Sequence, residues 1–442
     1  MKKLIDFKDF TKRISKLSVG LMLKYFFVGI FWIVITVIAN RFELNELTYF
    51  NAIFQIMILL SVIPFGIVAG LSVFINQNIE NQEAIKKYIK LGFIMVFILV
   101  SMFILVLLIF KDFVFSHLIV TEITDGYKFL YMMIPVIFLV IVCDYFSDVL
   151  KILKENKNNL MFSLVDFGTT LLAIIIVAFL GHLSLYSIAL CYIVTKLVFV
   201  PSYLIYMFRK LTKVIKMDLL KLHKIKVKFN FNIIRKIYLL GLNEVLWNIG
   251  FIVMTLALLK NNELLYNSYL YYENTLNIVN GIYYGLITFC GISICNNLGK
   301  KKLDDAYKEG IYSILLTVLV WAFIFIFCII FKNLIFSGMN VDIVGTGIKI
   351  FYIYMIMQLV RFINWTLSSY IIPQGGEIKL LVILQALELI YFVGLFIAIP
   401  YITVGPIATI LLISIPTIIN NIIYIIYFRS KKWMVNLKGV TV

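Results

Sequence analysis

The sequence predicts an all-α integral membrane protein with twelve transmembrane helices in two six-helix bundles that repeat one another. Its 442 residues are 62% hydrophobic, with a mean hydropathy of +1.00, and a soluble globule could not bury that much apolar surface. A helix needs about 20 apolar residues to cross roughly 30 Å of hydrocarbon. Twelve windows meet this length, at 19–39, 50–75, 91–110, 129–150, 160–182, 184–208, 238–259, 269–295, 311–335, 349–372, 380–402 and 403–428.

The distribution of Lys and Arg predicts the orientation of the chain. The two termini and the loops after helices 2, 4, 6, 8 and 10 hold 31 of these residues, whereas the remaining loops hold six. Because cytoplasmic loops carry the excess of basic residues, we expect both termini in the cytoplasm and a multi-pass location in the cell membrane. The net charge of +17 then reflects basic loops that face anionic lipid, so the expected partner is the bilayer and not nucleic acid.

Arg209–Lys236 is the most basic stretch of the chain and lies near the midpoint of the sequence. It contains ten Lys or Arg and one Asp. Such a run cannot enter hydrocarbon, since each cation there carries a large free-energy cost. We therefore predict an N-terminal six-helix bundle over residues 1–208, a cytoplasmic basic linker over 209–237 and a C-terminal six-helix bundle over 238–442.

An internal repeat relates the two predicted bundles. The sequence KDFVFS at residues 111–116 recurs as KNLIFS at 332–337, and a similar offset places Ala84 on Ala306. Because six helices is an even number, both halves enter the membrane in the same direction and should be related by an axis along the membrane normal. This pattern is typical of transporters that bind their solute between two halves, and we expect a monomer.

The N-terminal segment has the pattern of an amphipathic helix. Phe7, Phe10, Ile14 and Leu17 recur at helical spacing beside several lysines. A helix of this kind typically lies in the plane of the membrane interface with its apolar face toward the acyl chains. We therefore expect an interfacial helix before the first span.

Ionisable residues within the apolar windows are the strongest physical signal of function, because a charge there must be paired, hydrated or neutralised. Lys196 lies near the centre of helix 6, and Arg361 lies near the centre of helix 10. Four acidic candidates lie in the cytoplasmic part of their helices, namely Asp144, Asp166, Glu388 and Glu244. For any of these residues the alternative is a structural ion pair that holds helices together.

The repeat makes the two halves electrically different. With an offset of 220, Asp144 corresponds to Asn364, one turn from Arg361. Carboxylates on one wall of a permeation path and a cation on the other suit ion coupling in the first half and substrate contact in the second. The ion-coupling candidates are thus Asp144, Asp166 and Lys196, and the substrate-cavity candidates are Arg361, Asn364, Glu388 and Glu244.

Several motifs together resemble the multidrug and toxic-compound extrusion (MATE) transporters. They are the two six-helix halves, the loop pattern after helices 2 and 8, PQGGEIK at 373–379 and RSKKW at 429–433. The resemblance implies a MATE-like fold that exports organic solutes in exchange for Na⁺ or H⁺. It also implies that Glu377 is the acidic residue of the glycine turn and an ion-coupling candidate.

Two positions differ from the usual pattern of these transporters. Where helix 1 often has an acidic residue this chain has Ile35 or Thr36, and the N-x-x-x-D pattern of helix 5 falls near Thr169 and Ala173. These two differences remove the acidic residues of the usual ion site in helices 1 and 5, so we expect the coupling ion to bind elsewhere in this chain.

Two other functions compete with export. A flippase for a lipid-linked oligosaccharide or polysaccharide precursor would use Lys196 and Arg361 to hold a pyrophosphate. A membrane enzyme or a scaffold is the third class, but no nucleophile–base pair, metal motif or phosphate loop is visible, and a scaffold needs no charge at mid-membrane. We predict a secondary active exporter of a small organic or lipid-linked solute, not an enzyme, without a cofactor other than Na⁺ or H⁺ as coupling ion.

Overall fold

A computed structural model describes most of the chain, and its described residues are helical without a β-strand. The described ranges are 6–41, 66–78, 80–112, 123–153, 157–181, 185–217, 224–227, 230–261, 263–333, 346–376, 378–401 and 405–434. Each of the twelve apolar windows overlaps a helix. The first six are α1 (Phe7–Arg41), α2 (described over Gly66–Gln77), α3 (Gln82–Ile109), α4 (Ile123–Ile152), α5 (Lys157–Phe179) and α6 (Leu185–Ile215).

The second six helices follow the same order. They are α7 (Phe231–Asn261), α8 (Glu263–Gly299), α9 (Leu303–Ile330), α10 (Thr346–Trp365), α11 (Lys379–Ala398) and α12 (Pro406–Arg429). Among the described residues, seven helices are long and apolar enough to cross a membrane. In α3, the most apolar of them, only 22% of the apolar window is buried, as expected for a helix that faces lipid.

Contacts divide the chain into two compact units. One consists of Met1–Gly29 with Leu242–Val440, and the other contains Ile30–Gly241. The start of α1 therefore packs with the C-terminal half, which differs from the predicted bundle of residues 1–208 at its first residues. The boundaries of the predicted bundles stay a prediction.

The N-terminal segment does not present its apolar face to the membrane interface as expected. Phe10 and Ile14 are completely buried in the core of the first unit, and the Phe7 ring lies 5.2 Å from that of Tyr312 on α9. The apolar stripe was read correctly, but the expectation of an interfacial helix was wrong. Its partner is another helix of the same chain, because protein side chains bury this face as well as acyl chains would.

Both ends of the basic stretch Arg209–Lys236 are helical. Helix α6 continues to Ile215 and α7 begins at Phe231, so several of the cations lie on helical extensions beyond the apolar windows. Between them, the backbone carbonyl of Ile225 accepts a hydrogen bond of 2.7 Å from Lys90 Nζ on α3. The middle of this stretch is thus attached to α3.

Helix α10 ends in an irregular segment that brings together two of the recognised motifs. A π-helical turn over Thr366–Ile371 leads into a 3₁₀ turn over Ile372–Gly375, and Gly376 has a φ of 77°, which favours glycine. A Cβ on Gly375 would lie 1.6 Å from the carbonyl oxygen of Trp433. Trp433 itself is completely buried. PQGGEIK and RSKKW therefore contact each other.

We expect Gly375→Ala to destabilise the protein by about 1–3 kcal/mol or more, because a backbone oxygen occupies the space that the methyl group needs. Gly394→Ala is the matched control, since nothing lies within 4 Å of its added Cβ and alanine favours a helix. Thermal unfolding of the purified protein in detergent measures both changes. Equal unfolding temperatures for the two variants would contradict the tight contact with Trp433.

Candidate functional site

A small cavity lies within the C-terminal unit, between helices α7, α8, α10, α11 and α12. Its volume is about 60 Å³, which holds a few water molecules or an ion but not an organic solute. Aromatic rings form much of its wall, including those of Trp247, Phe251 and Trp365, and its polar residues include Arg361, Asn364, Gln385, Glu388 and Thr417. The cavity therefore combines an apolar wall with a few convergent polar groups, as ligand sites usually do.

Glu388 on α11 is the acidic residue of this cavity. Its carboxylate accepts hydrogen bonds from Thr417 Oγ1 at 3.0 Å and Asn420 Nδ2 at 2.8 Å, both on α12. A third comes from Gln385 Nε2 at 3.3 Å. The side chain is almost fully buried, and all three donors are neutral. Their dipoles stabilise this carboxylate, and Arg361 in the same cavity interacts with it electrostatically.

Arg361 and Asn364 supply the donors of the cavity. Arg361 Nη1 donates to Tyr269 Oη and to Gln358 Oε1, both at 3.3 Å, and its guanidinium carbon lies 5.8 Å from the centre of the Phe251 ring. Asn364 is buried, and its Nδ2 has no hydrogen-bond partner. A buried amide donor without a partner costs roughly 1–3 kcal/mol, so this group favours a ligand that accepts a hydrogen bond.

Glu244, also predicted to be part of the substrate cavity, does not line it. Its carboxylate accepts a hydrogen bond of 3.4 Å from Ser369, which belongs to the π-helical turn after α10. Glu377 lies outside the described residues. The structure therefore brings together three of the four predicted cavity residues, namely Arg361, Asn364 and Glu388.

In the other unit, Lys196 on α6 forms an ion pair with Asp166 on α5. Lys196 is 3% exposed, and its ammonium lies 4.9 Å from the centre of the Tyr192 ring and 5.0 Å from that of Phe167. Two aromatic faces and a carboxylate thus enclose this cation, which is the environment that a buried ammonium needs.

Asp144 on α4 belongs to the same cluster, close enough to interact electrostatically with Lys196 and Tyr192. Next to it, Tyr203 Oη donates to Ser147 Oγ at 3.3 Å. The structure therefore brings together Asp144, Asp166 and Lys196, which the sequence had selected separately. Their predicted role in ion coupling stays a prediction.

An ion pair that sequence reasoning missed joins Arg13 on α1 to Glu309 on α9. The distance from Arg13 Nη2 to Glu309 Oε1 is 2.5 Å, and Arg13 also donates to Ser293 Oγ at 3.0 Å. Glu309 is completely buried, whereas the Arg13 side chain is 45% exposed. Glu309 lies just before the predicted window 311–335, so it had the pattern of a solvated loop residue.

Arg13→Ala should destabilise the protein more than Glu309→Gln does. Loss of Arg13 leaves a buried carboxylate unpaired, which costs about 3 kcal/mol at the low end of the range for broken buried pairs. Loss of Glu309 leaves a half-exposed guanidinium that water can solvate. Thermal unfolding of both variants and of the double variant measures the asymmetry. Lys12→Ala, an exposed neighbour on the same helix, is the control, and an equal effect of Lys12→Ala and Arg13→Ala would contradict this account.

Within the described ranges, no group of three His, Cys, Asp or Glu side chains is placed to hold a metal ion. The clusters found instead place one or two carboxylates beside cations, amides and hydroxyls.

Comparison with known proteins adds information about the fold. No model of a protein family matches the sequence, and no curated protein matches it. Among solved structures, an outward-facing multidrug resistance MATE family transporter of the MOP superfamily superposes with a TM-score of 0.82, at 14% identity and with 96% of each chain covered. The chain has the MATE fold. The predicted fold class and the resemblance to MATE transporters are thereby confirmed.

Two further structures with the MATE fold match over 96% of each chain at 14% identity. A MATE in complex with MaL6 superposes with a TM-score of 0.81. A MOP superfamily transporter from Pyrococcus furiosus Vc1 superposes with a TM-score of 0.80, and it is described as having a binding pocket of reverse polarity that suggests a different function.

Proposed function

We propose that this protein is a secondary active transporter that exports an organic solute in exchange for Na⁺ or H⁺, and that Glu388 binds the coupling ion. The MATE fold and the apolar helices support transport across a membrane. The observation that carries the proposal is a buried carboxylate in a cavity of about 60 Å³, which accepts hydrogen bonds from three neutral side chains.

A carboxylate at this depth favours binding of a small cation. Burial of a charge is costly, and the three neutral donors together with the nearby Arg361 guanidinium offset part of that cost. A proton or Na⁺ would neutralise Glu388, and the two amide side chains can rotate to present oxygen atoms to a metal ion. The sequence had suggested Glu388 as a substrate contact, but the small volume of the cavity supports an ion and its water molecules instead.

The cluster of the other unit supports a different role for its members. The contact between Lys196 and Asp166 already neutralises both side chains, which supports a structural role for that pair. Asp144 remains the coupling candidate of this half.

A flippase for a lipid-linked saccharide is the second candidate function. Arg361 and the unpaired amide donor of Asn364 both favour an anionic or hydrogen-bond-accepting group. The Pyrococcus furiosus transporter, described as having a binding pocket of reverse polarity, is similar in fold to this chain. An anionic solute, in place of the organic cation of an exporter, is therefore compatible with the fold.

Transport by purified protein in liposomes tests the proposal. A fluorescent organic cation should move under an imposed Na⁺ gradient or an imposed pH gradient, and only one of the two should drive it. Movement equal to that in protein-free liposomes under both gradients would contradict the exporter. Translocation of a lipid-linked oligosaccharide in the same liposomes would then support the second candidate.

A further inference from the structure

A second and larger cavity lies in the other unit, on the side that the loop charges assign to the cytoplasm. It is a crevice of about 450 Å³ between the start of α3 and the chain that follows α6. Its volume falls within the range of small-molecule sites. The crevice is lined by Glu83, Lys86, Lys87, Lys216, Met217, Lys224, Ile225 and Lys226.

The charge of this basic crevice is strongly positive. Among the described residues that line it there are five lysines and one glutamate, and that glutamate, Glu83, is paired with Lys86 at 2.6 Å. The N-terminus of α3 begins at the same place, with Asn81 as its cap, and its dipole adds further positive potential. The crevice therefore suits an anion with several oxygen atoms, such as a phosphate ester.

Two separate parts of the chain build the crevice. Lys86 and Lys87 come from α3, whereas Lys216 and Lys224 come from the basic stretch. The hydrogen bond from Lys90 to the Ile225 carbonyl fixes the second part against the first. The cations thus converge on one volume instead of being spread along a flexible loop.

The surface of α3 beyond the crevice indicates where such a phosphate comes from. Ile98 lies eleven residues after Lys87, about three helical turns, and so on the same face. It starts an apolar stripe whose four members are 50%, 58%, 58% and 63% exposed, namely Ile98, Met102, Leu105 and Ile109. Between Lys87 and Ile98 the same face carries Leu91, which is buried, so the exposed stripe begins about three turns beyond the lysine. Basic side chains at one end of a helix face and exposed aliphatic side chains at the other match the headgroup and acyl chains of a phospholipid.

We propose that the basic crevice binds the headgroup of an anionic phospholipid, whose acyl chains lie along the exposed stripe of α3. Lys87, Lys216 and Lys224 provide the attraction for the phosphate, as clusters of basic residues at the cytoplasmic membrane surface do for anionic lipids. The site is independent of the Glu388 cavity and of the solute that the protein moves.

The test is lipid binding by the full-length protein in a neutral detergent, measured as the increase in unfolding temperature that the lipid causes. The probes are phosphatidylglycerol, phosphatidylcholine and inorganic pyrophosphate. Wild-type protein should bind phosphatidylglycerol and not phosphatidylcholine. Lys87→Gln/Lys216→Gln/Lys224→Gln should weaken phosphatidylglycerol binding by about tenfold to a hundredfold, since each lysine near the surface contributes roughly 1 kcal/mol before screening by salt.

A matched control loses the same charge at the related loop after α8. This variant is Lys300→Gln/Lys301→Gln/Lys302→Gln, in which Lys301 has a φ of 58°, similar to the 52° of Lys216. It should bind phosphatidylglycerol like wild type. A variant with arginine at Lys87, Lys216 and Lys224 should also retain binding, which separates charge from folding defects.

Three outcomes would overturn the proposal. They are wild-type binding by the crevice variant, an equal loss in the control, and a loss in the arginine variant. Pyrophosphate binding as tight as that of phosphatidylglycerol would overturn the assignment to lipid and indicate a soluble phosphate compound.

Discussion

Glu388→Gln is expected to reduce ion-driven transport by about 5–150-fold, the range of typical coupling free energies of 1–3 kcal/mol. Glutamine keeps the size of the side chain. Its single oxygen can accept the hydrogen bond from Asn420, while its amide nitrogen faces the Thr417 hydroxyl, which can act as an acceptor. However, it is permanently neutral, so it can neither bind and release a proton nor attract Na⁺. The variant should remain folded, because removal of a buried charge costs no desolvation.

Initial rates in liposomes under imposed Na⁺ and pH gradients measure this effect. Asp304→Asn provides the control, since it makes the same chemical change at an exposed position in the first turn of α9. If Glu388→Gln transports at the rate of wild type under the gradient that drives wild type, then Glu388 is structural and the ion binds elsewhere.

Asp166→Asn is expected to destabilise the N-terminal cluster by about 3–5 kcal/mol, the usual cost of a broken buried ion pair. It leaves the Lys196 ammonium, which is 3% exposed, without its carboxylate partner. Lys196→Met should cost less, because the side chain of Asp166 is 21% exposed and water can reach the remaining carboxylate. The double variant should be more stable than Asp166→Asn alone.

Thermal unfolding of the three variants in detergent measures this order. Our account would be contradicted if Lys196→Met destabilised the protein more than Asp166→Asn, or if the two effects were additive in the double variant. Additive effects would mean that the two side chains do not interact.

The sequence was sufficient for the helices and for the buried charges inside the apolar windows, but not for Glu309, which lies just outside one of them. Length and hydropathy are properties of a single segment, so each apolar window could be placed without knowledge of its neighbours. The rarity of ionisable groups in such segments likewise pointed to Lys196, Asp166 and Glu388 one at a time.

Contacts between helices were not predictable in the same way. Gln385 lies one turn before Glu388 and could be foreseen as its neighbour, whereas Thr417 and Asn420 depend on how α12 is rotated against α11. The contact between Arg13 and Glu309 joins residues 296 positions apart, and the pattern around Arg13 fits a membrane interface as well as a protein partner. Rotation and packing of helices follow from the whole chain, so a single sequence leaves them open.

The unit that combines Met1–Gly29 with Leu242–Val440 also has a consequence for biosynthesis. Its contact between Arg13 and Glu309 spans 296 residues, which a ribosome takes roughly 15–60 s to make at about 5–20 residues per second. During that interval the first turns of α1 lack their final partner, while Ile30–Gly241 has already been synthesised. The middle of the polypeptide can therefore fold before either of its ends does. The start of α1 must wait until α9, in the last third of the chain, has emerged from the ribosome.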